Sequence, residues 1–335
     1  MNGMFTRLRK GDWPSSPPYL LLLSKFRNCH SIVKYRDDVK WEAVLGGNPQ
    51  FVIEQFIEEG LLEHPSLPDF LNIKFKIPEL KAMLKNKGLK LSGNKNELIC
   101  RLVDNDSVSM LEFAKGSDIY RCTATGSKLV EKYLTEENEK QEVAEKKTYE
   151  FLKQQEFIEA IRVMVQYESL QVFPRGLGID WNTYESTSLF AGMVDALKAI
   201  FKSTPAILQA KDFEESQLKQ IRLAAGMMRI WGARTAQRWM PQGVDKTTLD
   251  AWDIASRMLD FHAYSLGMIQ SFKEVGVRNV EVSGIADDRQ CPECKKIDGK
   301  RFKLEDAPEL PYVKCTCEMG CRCLLIPEDK FWKNS

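Results

Sequence analysis

Six of the nine cysteines lie between Cys291 and Cys323, in the order Cys291-Pro-Glu-Cys294, then Cys315, Cys317, Cys321 and Cys323. The other three, Cys29, Cys100 and Cys122, are scattered. A disulfide scaffold would be small and cysteine-rich throughout, whereas a terminal cluster in a reducing cytosol reads as metal binding. C-x-x-C places two thiolates on one tight turn, and a second cysteine group further on supplies the remaining ligands. Four soft ligands with no open position make a structural Zn2+ site, which can hold together a segment with little apolar core. Cys291 and Cys294 are the first ligands, Cys321 and Cys323 come next, and Cys317 or Cys315 competes for a place. No thioredoxin-like βαβ pattern precedes the C-x-x-C, which argues against a redox motif. No nearby histidine or free carboxylate set leaves a water position, so a catalytic zinc is not expected.

At 335 residues the chain is long enough for two or three domains. Forty-eight basic against forty-seven acidic residues give +1, which excludes a histone-like polycation and an acidic solvating protein. Any nucleic-acid site must therefore be a local patch. The longest apolar run near the start, Leu20 to Leu23, is far short of the ~20 residues a bilayer span needs. Arg7, Arg9 and Lys10 precede that run, but polar residues follow at once, so no cleavable signal is read and a cytoplasmic location is expected.

Charge is sorted along the chain. Residues 73–103 carry eight bases (Lys74, Lys76, Lys81, Lys85, Lys87, Lys90, Lys95, Arg101) against Glu79 and Glu97, a net +6. Residues 104–170 carry fourteen acids and nine bases, a net −5. The expected organisation is a segment without assigned role at 1–40, a basic region at 41–135, a charged helical connector at 136–170, a helical domain at 171–275 and a zinc module at 276–330. Helical spacing marks Asn48 to Glu59, with Gly60 a stop. Ile119 to Cys122 reads as a strand, and the helix after it could be capped by Thr125. Three further helices carry Leu189 to Phe201, Ile221 to Trp239 (ending at Pro241) and Trp252 to Ile269, the last capped by Asp245 or Thr247. Val280 and Val282 alternate like a strand, and Asp298-Gly299 is a hairpin-turn signal.

Within the basic region, Pro78 suits a helix start and Gly88 its end. Leu80, Met83 and Leu84 line one side, and Leu98, Ile99 and Leu102 face inward from a second helix. The string PELKAMLKNKGLKLSGNKNELICRL closely resembles a SAP motif, the small helix–loop–helix of DNA-associated proteins. The resemblance implies binding of double-stranded DNA, with phosphate contacts dominating. Lys81, Lys87, Lys90, Ser92, Gly93, Asn94, Lys95 and Arg101 are the expected contact residues. Gly93 and Asn94 would present backbone N–H groups at a helix start, lysines would add point charges, and Ser92 would cap the helix or donate to phosphate. A helix before the motif and a strand and helix after it, around Tyr120 to Leu134, suggest a winged-helix-like setting. The competing reading is a solvated lysine face on a small helical module.

The C-terminal string is similar to the phage head-morphogenesis proteins, the minor head proteins of the MuF type. The matching residues are Asp287-Asp288-Arg289-Gln290-Cys291, Cys294, Ile297-Asp298-Gly299-Lys300 and Cys321-Arg322-Cys323. Two positions depart from the pattern. Glu318 stands where the family usually has His, so Cys317 is expected to take that ligand place. Asp260, Phe261 and His262 stand where the preceding helix usually carries Arg-Thr-Glu, and His262 reads as a packed residue.

No P-loop, dinucleotide loop or Gly-x-Ser-x-Gly elbow is present. Asp287 and Asp288 could hold a divalent ion in a nuclease, but their place before the zinc ligands favours a turn. Met227, Met228, Trp231, Trp239 and Trp252 read as core, with a subunit interface, and so a homo-oligomer, as the second reading. The expectation is a mainly α, multidomain protein: a SAP-like helix–loop–helix in an N-terminal winged-helix-like region, a central helical region and a small α+β zinc module. Its expected role is non-enzymatic: a phage or prophage minor head protein, virion-associated, binding DNA non-specifically and contacting head or portal proteins. The alternative is a free-standing zinc-containing DNA-binding protein of regulation or repair.

Overall fold

A computed structural model describes residues 16–328 apart from Leu177, Asp212 and residues 242–245. The protein is mainly helical and divides into two compact units, residues 1–139 and 140–335. Among the described residues no helix is long and apolar enough to cross a membrane.

The first unit contains α1 (Pro17–Ser24), β1 (His30–Ser31), α2 (Val39–Leu45), α3 (Pro49–Glu58), β2 (Leu62–Glu63), α4 (Leu67–Lys74), α5 (Ile77–Asn86), α6 (Lys95–Ala114) and β3 (Ile119–Cys122). It also contains the start of α7 (Ala124–Lys153). The strands form a small antiparallel sheet in the order β1-β3-β2. Leu22, Leu23 and Phe26, from the segment left without a role, pack with Val52, Ile53, Phe56 and Val130 in one apolar cluster. Residues 17–35 are thus part of this unit's core. Asn48 caps α3 by accepting from the Gln50 N–H at 2.8 Å. The cap of α7 is Thr123, whose Oγ1 accepts from Gly126 at 3.2 Å, and the proposed cap Thr125 lies inside the helix.

A second cluster holds Phe70, Leu71, Leu80, Leu84, Leu98, Ile99 and Leu102 from α4, α5 and α6. Each of these is at most 2% exposed and contributes about 1.5–3 kcal/mol of burial, an upper bound for a chain already partly collapsed when unfolded. The two-helix module is thus completed by α4, with Ile119 of β3 closing the same cluster.

The second unit continues with α8 (Phe157–Ser169), α9 (Ser188–Lys202), α10 (Ala206–Gln209), α11 (Glu215–Trp231), α12 (Ala233–Ala236) and α13 (Lys246–Glu274). After these come β4 (Asn279–Ser283), α14 (Pro292–Ile297), β5 (Arg301–Lys303) and β6 (Leu324–Pro327). The sheet order is β5-β4-β6, antiparallel throughout. Most of residues 131–147 is exposed, as a charged connector would be, but Glu145 has no exposed surface, and the helical face beyond it, with Thr148, Leu152, Ala160 and Ile161, is core. Glu145 is compensated by the Trp239 indole N–H at 3.2 Å and Arg238 at 3.6 Å. Glu168, also buried, accepts from the Arg175 N–H at 2.7 Å and from its guanidinium, which lies 5.4 Å from the Trp231 ring.

The second predicted central helix stops early, at Gly232 (φ +94), and a short helix and a 3-10 turn take over. Asp245, a proposed cap of α13, lies outside the described residues, and Thr247 falls within the helix. Val280 and Val282 turn inward from β4 into the same apolar cluster as Leu197, Met228 and Leu259. The helices and the cysteine-bearing segment thus share one core instead of forming separate domains. Asp298-Gly299 is not a hairpin turn: it ends α14 and leads into β5, with Gly299 at φ +71 donating to Val282 O at 2.8 Å.

Close packing sets one checkable difference between two helical glycines. A Cβ at Gly126 would sit 2.3 Å from the carbonyl oxygen of Leu61, whereas one at Gly192 would meet nothing within 4 Å. Gly126→Ala is expected to destabilise the first unit by about 1–3 kcal/mol. Gly192→Ala is expected to stabilise by about 0.5–1 kcal/mol through helix propensity. Urea denaturation of the two variants checks both signs.

Candidate nucleic-acid interface and metal centre

The basic module begins where Glu79 accepts from the Lys76 N–H at 2.6 Å, with Pro78 in the first turn of α5. α5 ends at Gly88 (φ +68), and Leu89 N–H returns to Leu84 O at 2.9 Å. α6 opens on a capping box. Asn94 Oδ1 accepts from Glu97 N–H and Glu97 Oε2 accepts from Asn94 N–H, both at 3.0 Å. The cap is therefore Asn94 and not Ser92, whose side chain is exposed. The Asn94 amide, expected to face phosphate, is already used by the Glu97 carboxylate. Position 93 needs glycine, since at φ +128 a Cβ there would lie 2.4 Å from Glu97 Oε2. α6 breaks at Asp106 (φ −157, ψ 63), whose carboxylate accepts from Ser109 N–H at 3.1 Å and so starts the second half.

Three of the expected DNA contacts hold the module together. Lys87 pairs with Asp106. Lys95 Nζ donates to the carbonyl of Asn72. Arg101 donates to the carbonyls of Lys90 at 2.5 Å and Ser92 at 3.2 Å, bracing the loop from behind. Lys81 and Lys90 are exposed and have no ion-pair partner among the described residues, as are Lys74, Lys76 and Lys85. Those last three belong to the basic stretch but were not singled out as contacts. Lys81 and Lys85 lie one turn apart on α5. Five uncompensated ammonium groups on so small a module repel one another, and a phosphate backbone relieves that repulsion.

At the other end of the chain the cysteines converge. The thiols of Cys291, Cys294, Cys315 and Cys317 all lie within 4.8 Å of one another, as do those of Cys294, Cys321 and Cys323. Tetrahedral zinc with Zn–S near 2.3 Å sets sulfurs about 3.8 Å apart, so the donor set and its compactness fit a zinc ion. Cys315, which the sequence left in competition, is inside the first group beside Cys317. Exposed Glu318 belongs to neither group.

Backbone amides point at the sulfurs. Cys291 Sγ accepts from Cys294 N–H at 3.4 Å and Thr316 N–H at 3.3 Å. Cys317 Sγ accepts from Cys291 N–H at 3.3 Å, Cys315 Sγ from Cys317 N–H at 3.4 Å, and Cys321 Sγ from Tyr312 N–H at 3.3 Å. Such bonds stabilise thiolates, the form a metal binds. Burial pushes the Cys291 thiol up, but the hydrogen bonds from Cys294, Thr316 and Cys317 outweigh it and bring it down to about 6. Burial and the neighbouring Cys321 push Cys294 up to about 12.

Two carboxylates of the Asp-Asp-Arg and Asp-Gly-Lys boxes frame this centre. Asp287 takes two 2.7 Å bonds from the Arg322 guanidinium, tying the loop before Cys291 to the Cys-Arg-Cys turn. Arg322 holds its carboxyl well below the usual range. With both oxygens engaged, Asp287 is a clamp and not an open divalent-ion ligand. Asp298 accepts from Gly284 N–H at 2.8 Å and Gln290 Nε2 at 3.1 Å. His262 is buried, with Nδ1 3.0 Å from the Leu310 carbonyl and Nε2 2.8 Å from Ser203 Oγ. Since a carbonyl only accepts, Nδ1 carries a proton, and both ring nitrogens are spent on packing contacts. Asp260 pairs with Arg229 at 2.7 Å.

The SAP domain family matches residues 74–106, a segment that ends at the break in α6. Comparison with curated proteins and with solved structures finds no match. The C-terminal resemblance stands on its residues alone.

The Lys87–Asp106 pair is measurable. Bonding to Lys87, and then to Ser109, lowers the Asp106 carboxyl from its ordinary 3.8 to about 2. A depressed carboxyl stabilises the fold above its ordinary pKa and loses that contribution as pH falls through the folded value. Lys87→Ala should return Asp106 toward 3.8, read by NMR titration of its side-chain carboxyl, and should narrow the module's acid tolerance to above about pH 4.

Proposed function

We propose that the chain is a phage or prophage minor head protein that holds double-stranded DNA non-specifically through residues 74–106. Its helical and zinc-bearing second unit would bind head or portal components. The observation that carries the DNA part is the set of five exposed lysines without ion-pair partners on the SAP module. Their contacts are to phosphate, so affinity is independent of base sequence and falls with salt. The head assignment rests on the Asp287-to-Cys323 string, and the Asp287–Arg322 clamp supplies a structural reason for that spacing. The proposed role is scaffolding, with zinc contributing folding free energy. The location that follows is the bacterial cytoplasm and then the virion. Self-association of the second unit belongs to the same reading.

DNA affinity measured against salt tests the first part. Log affinity should fall linearly with log salt, and Lys81→Ala/Lys90→Ala should reduce the slope by up to about 1.8. Lys87→Ala should change the slope less, since that ammonium is already paired. Absence of binding at low salt, with the fold intact, would sink the DNA reading. Co-sedimentation with assembled heads tests the second part. A protein that binds DNA but never sediments with heads is the free-standing regulatory or repair protein instead.

A further inference from the structure

The two cysteine groups overlap. Cys294 belongs to both the set with Cys291, Cys315 and Cys317 and the set with Cys321 and Cys323. Cys315 in turn lies within hydrogen-bonding reach of both Cys294 and Cys321. Cys294 and Cys315 thus stand between two outer pairs, Cys291 with Cys317 and Cys321 with Cys323. Six thiols gathered in this way exceed what one tetrahedral ion can use.

We propose that the centre is binuclear: two zinc ions held by six thiolates, with Cys294 and Cys315 shared between them. This inference rests on the zinc reading above and extends its stoichiometry.

Burial and charge both favour the second ion. Cys321 and Cys323 are 4% and 2% exposed, so they cannot turn to solvent. With one ion on the first four thiolates, these two would be left as unused buried thiols beside a doubly negative tetrathiolate site. A second divalent ion takes both of them and shares the bridging sulfurs, and the formal charge of the whole centre is still only two minus. The amide donors are distributed accordingly. Those of Cys291, Cys294 and Thr316 serve the outer pair Cys291 and Cys317, that of Cys317 serves the shared Cys315, and that of Tyr312 serves Cys321 on the other side. Arg322, between Cys321 and Cys323, places its cation beside the excess negative charge while bound to Asp287. Each bound ion displaces the thiol protons it finds, and no electron transfer is involved.

The test is zinc content of the purified full-length chain by plasma mass spectrometry, after dialysis against metal-free buffer. Two zinc ions per chain are expected. Cys321→Ser/Cys323→Ser, which removes only the outer ligands of the second site, should hold one. One ion per wild-type chain overturns the binuclear centre while leaving a single zinc site intact. The double variant then locates that site, at Cys291, Cys294, Cys315 and Cys317 if it keeps the ion, and at a set including Cys321 and Cys323 if it loses it. No zinc in the wild type overturns the zinc reading as well. If the variant does not fold, cadmium-113 NMR of the exchanged wild-type protein decides. Two resonances split by one another through shared sulfur support the proposal, and a lone resonance overturns it.

Discussion

The C-terminal segment between Gly284 and Cys323 depends on thiol sulfur being solvated by the backbone. Here one short strand, one six-residue helix and long irregular stretches surround a handful of apolar side chains. Five N–H groups give up bonding to water or to secondary structure in order to face sulfur. That exchange is strengthened where the sulfurs carry negative charge, as they would on a bound metal ion. The Asp287–Arg322 clamp joins the two ends of the segment and keeps the sulfurs within reach of one another. β4 and the helices can then share a core because Cys321 and Met258 meet at its boundary, where Cys321 N–H donates to the Met258 sulfur at 3.3 Å.

The first unit meets a comparable difficulty by other means. Its basic helix–loop–helix cannot pair every lysine without losing its surface, so the charges are divided. Lys87, Lys95 and Arg101 turn back onto carbonyls and Asp106, where they shape the loop. Lys74, Lys76, Lys81, Lys85 and Lys90 stay outside. The inner set makes the fold and the outer set makes the potential, and both are drawn from the same run of basic residues.

Much of the fold was legible in the sequence because period and punctuation are local. Pro78, Gly88 and the Leu/Ile spacing mark the two basic helices, and Ile119 to Cys122 emerges as the central strand of its sheet. What the sequence hid depends on partners far along the chain. Glu145 looks like part of a solvated helix until Trp239 and Arg238 arrive to cover it. Gly232 ends a helix whose apolar pattern runs on past it. The lysines could be counted, but only the placement of Asn72, Asp106 and the Lys90 carbonyl separates those that brace from those that face solvent. The six cysteines were visible at once, whereas their grouping, and the place of Cys315 in it, needed the fold.

The SAP module also has a topological position that its own sequence does not reveal. β2 and β3 are antiparallel neighbours, with Leu62 opposite Cys122 and Glu63 opposite Arg121, and His64 stacks on Tyr120 just beyond. Seen from the sheet, everything from residue 66 to residue 118 is the loop of a hairpin. Its entry and exit lie side by side, and its apolar cluster reaches the frame through Ile119 at the start of β3. Closing a longer loop costs the frame only a logarithmic increment. The module's length can therefore vary at little entropic cost to the sheet, while Ile119 and the Arg121–Asp69 pair keep it seated on the strand that carries it.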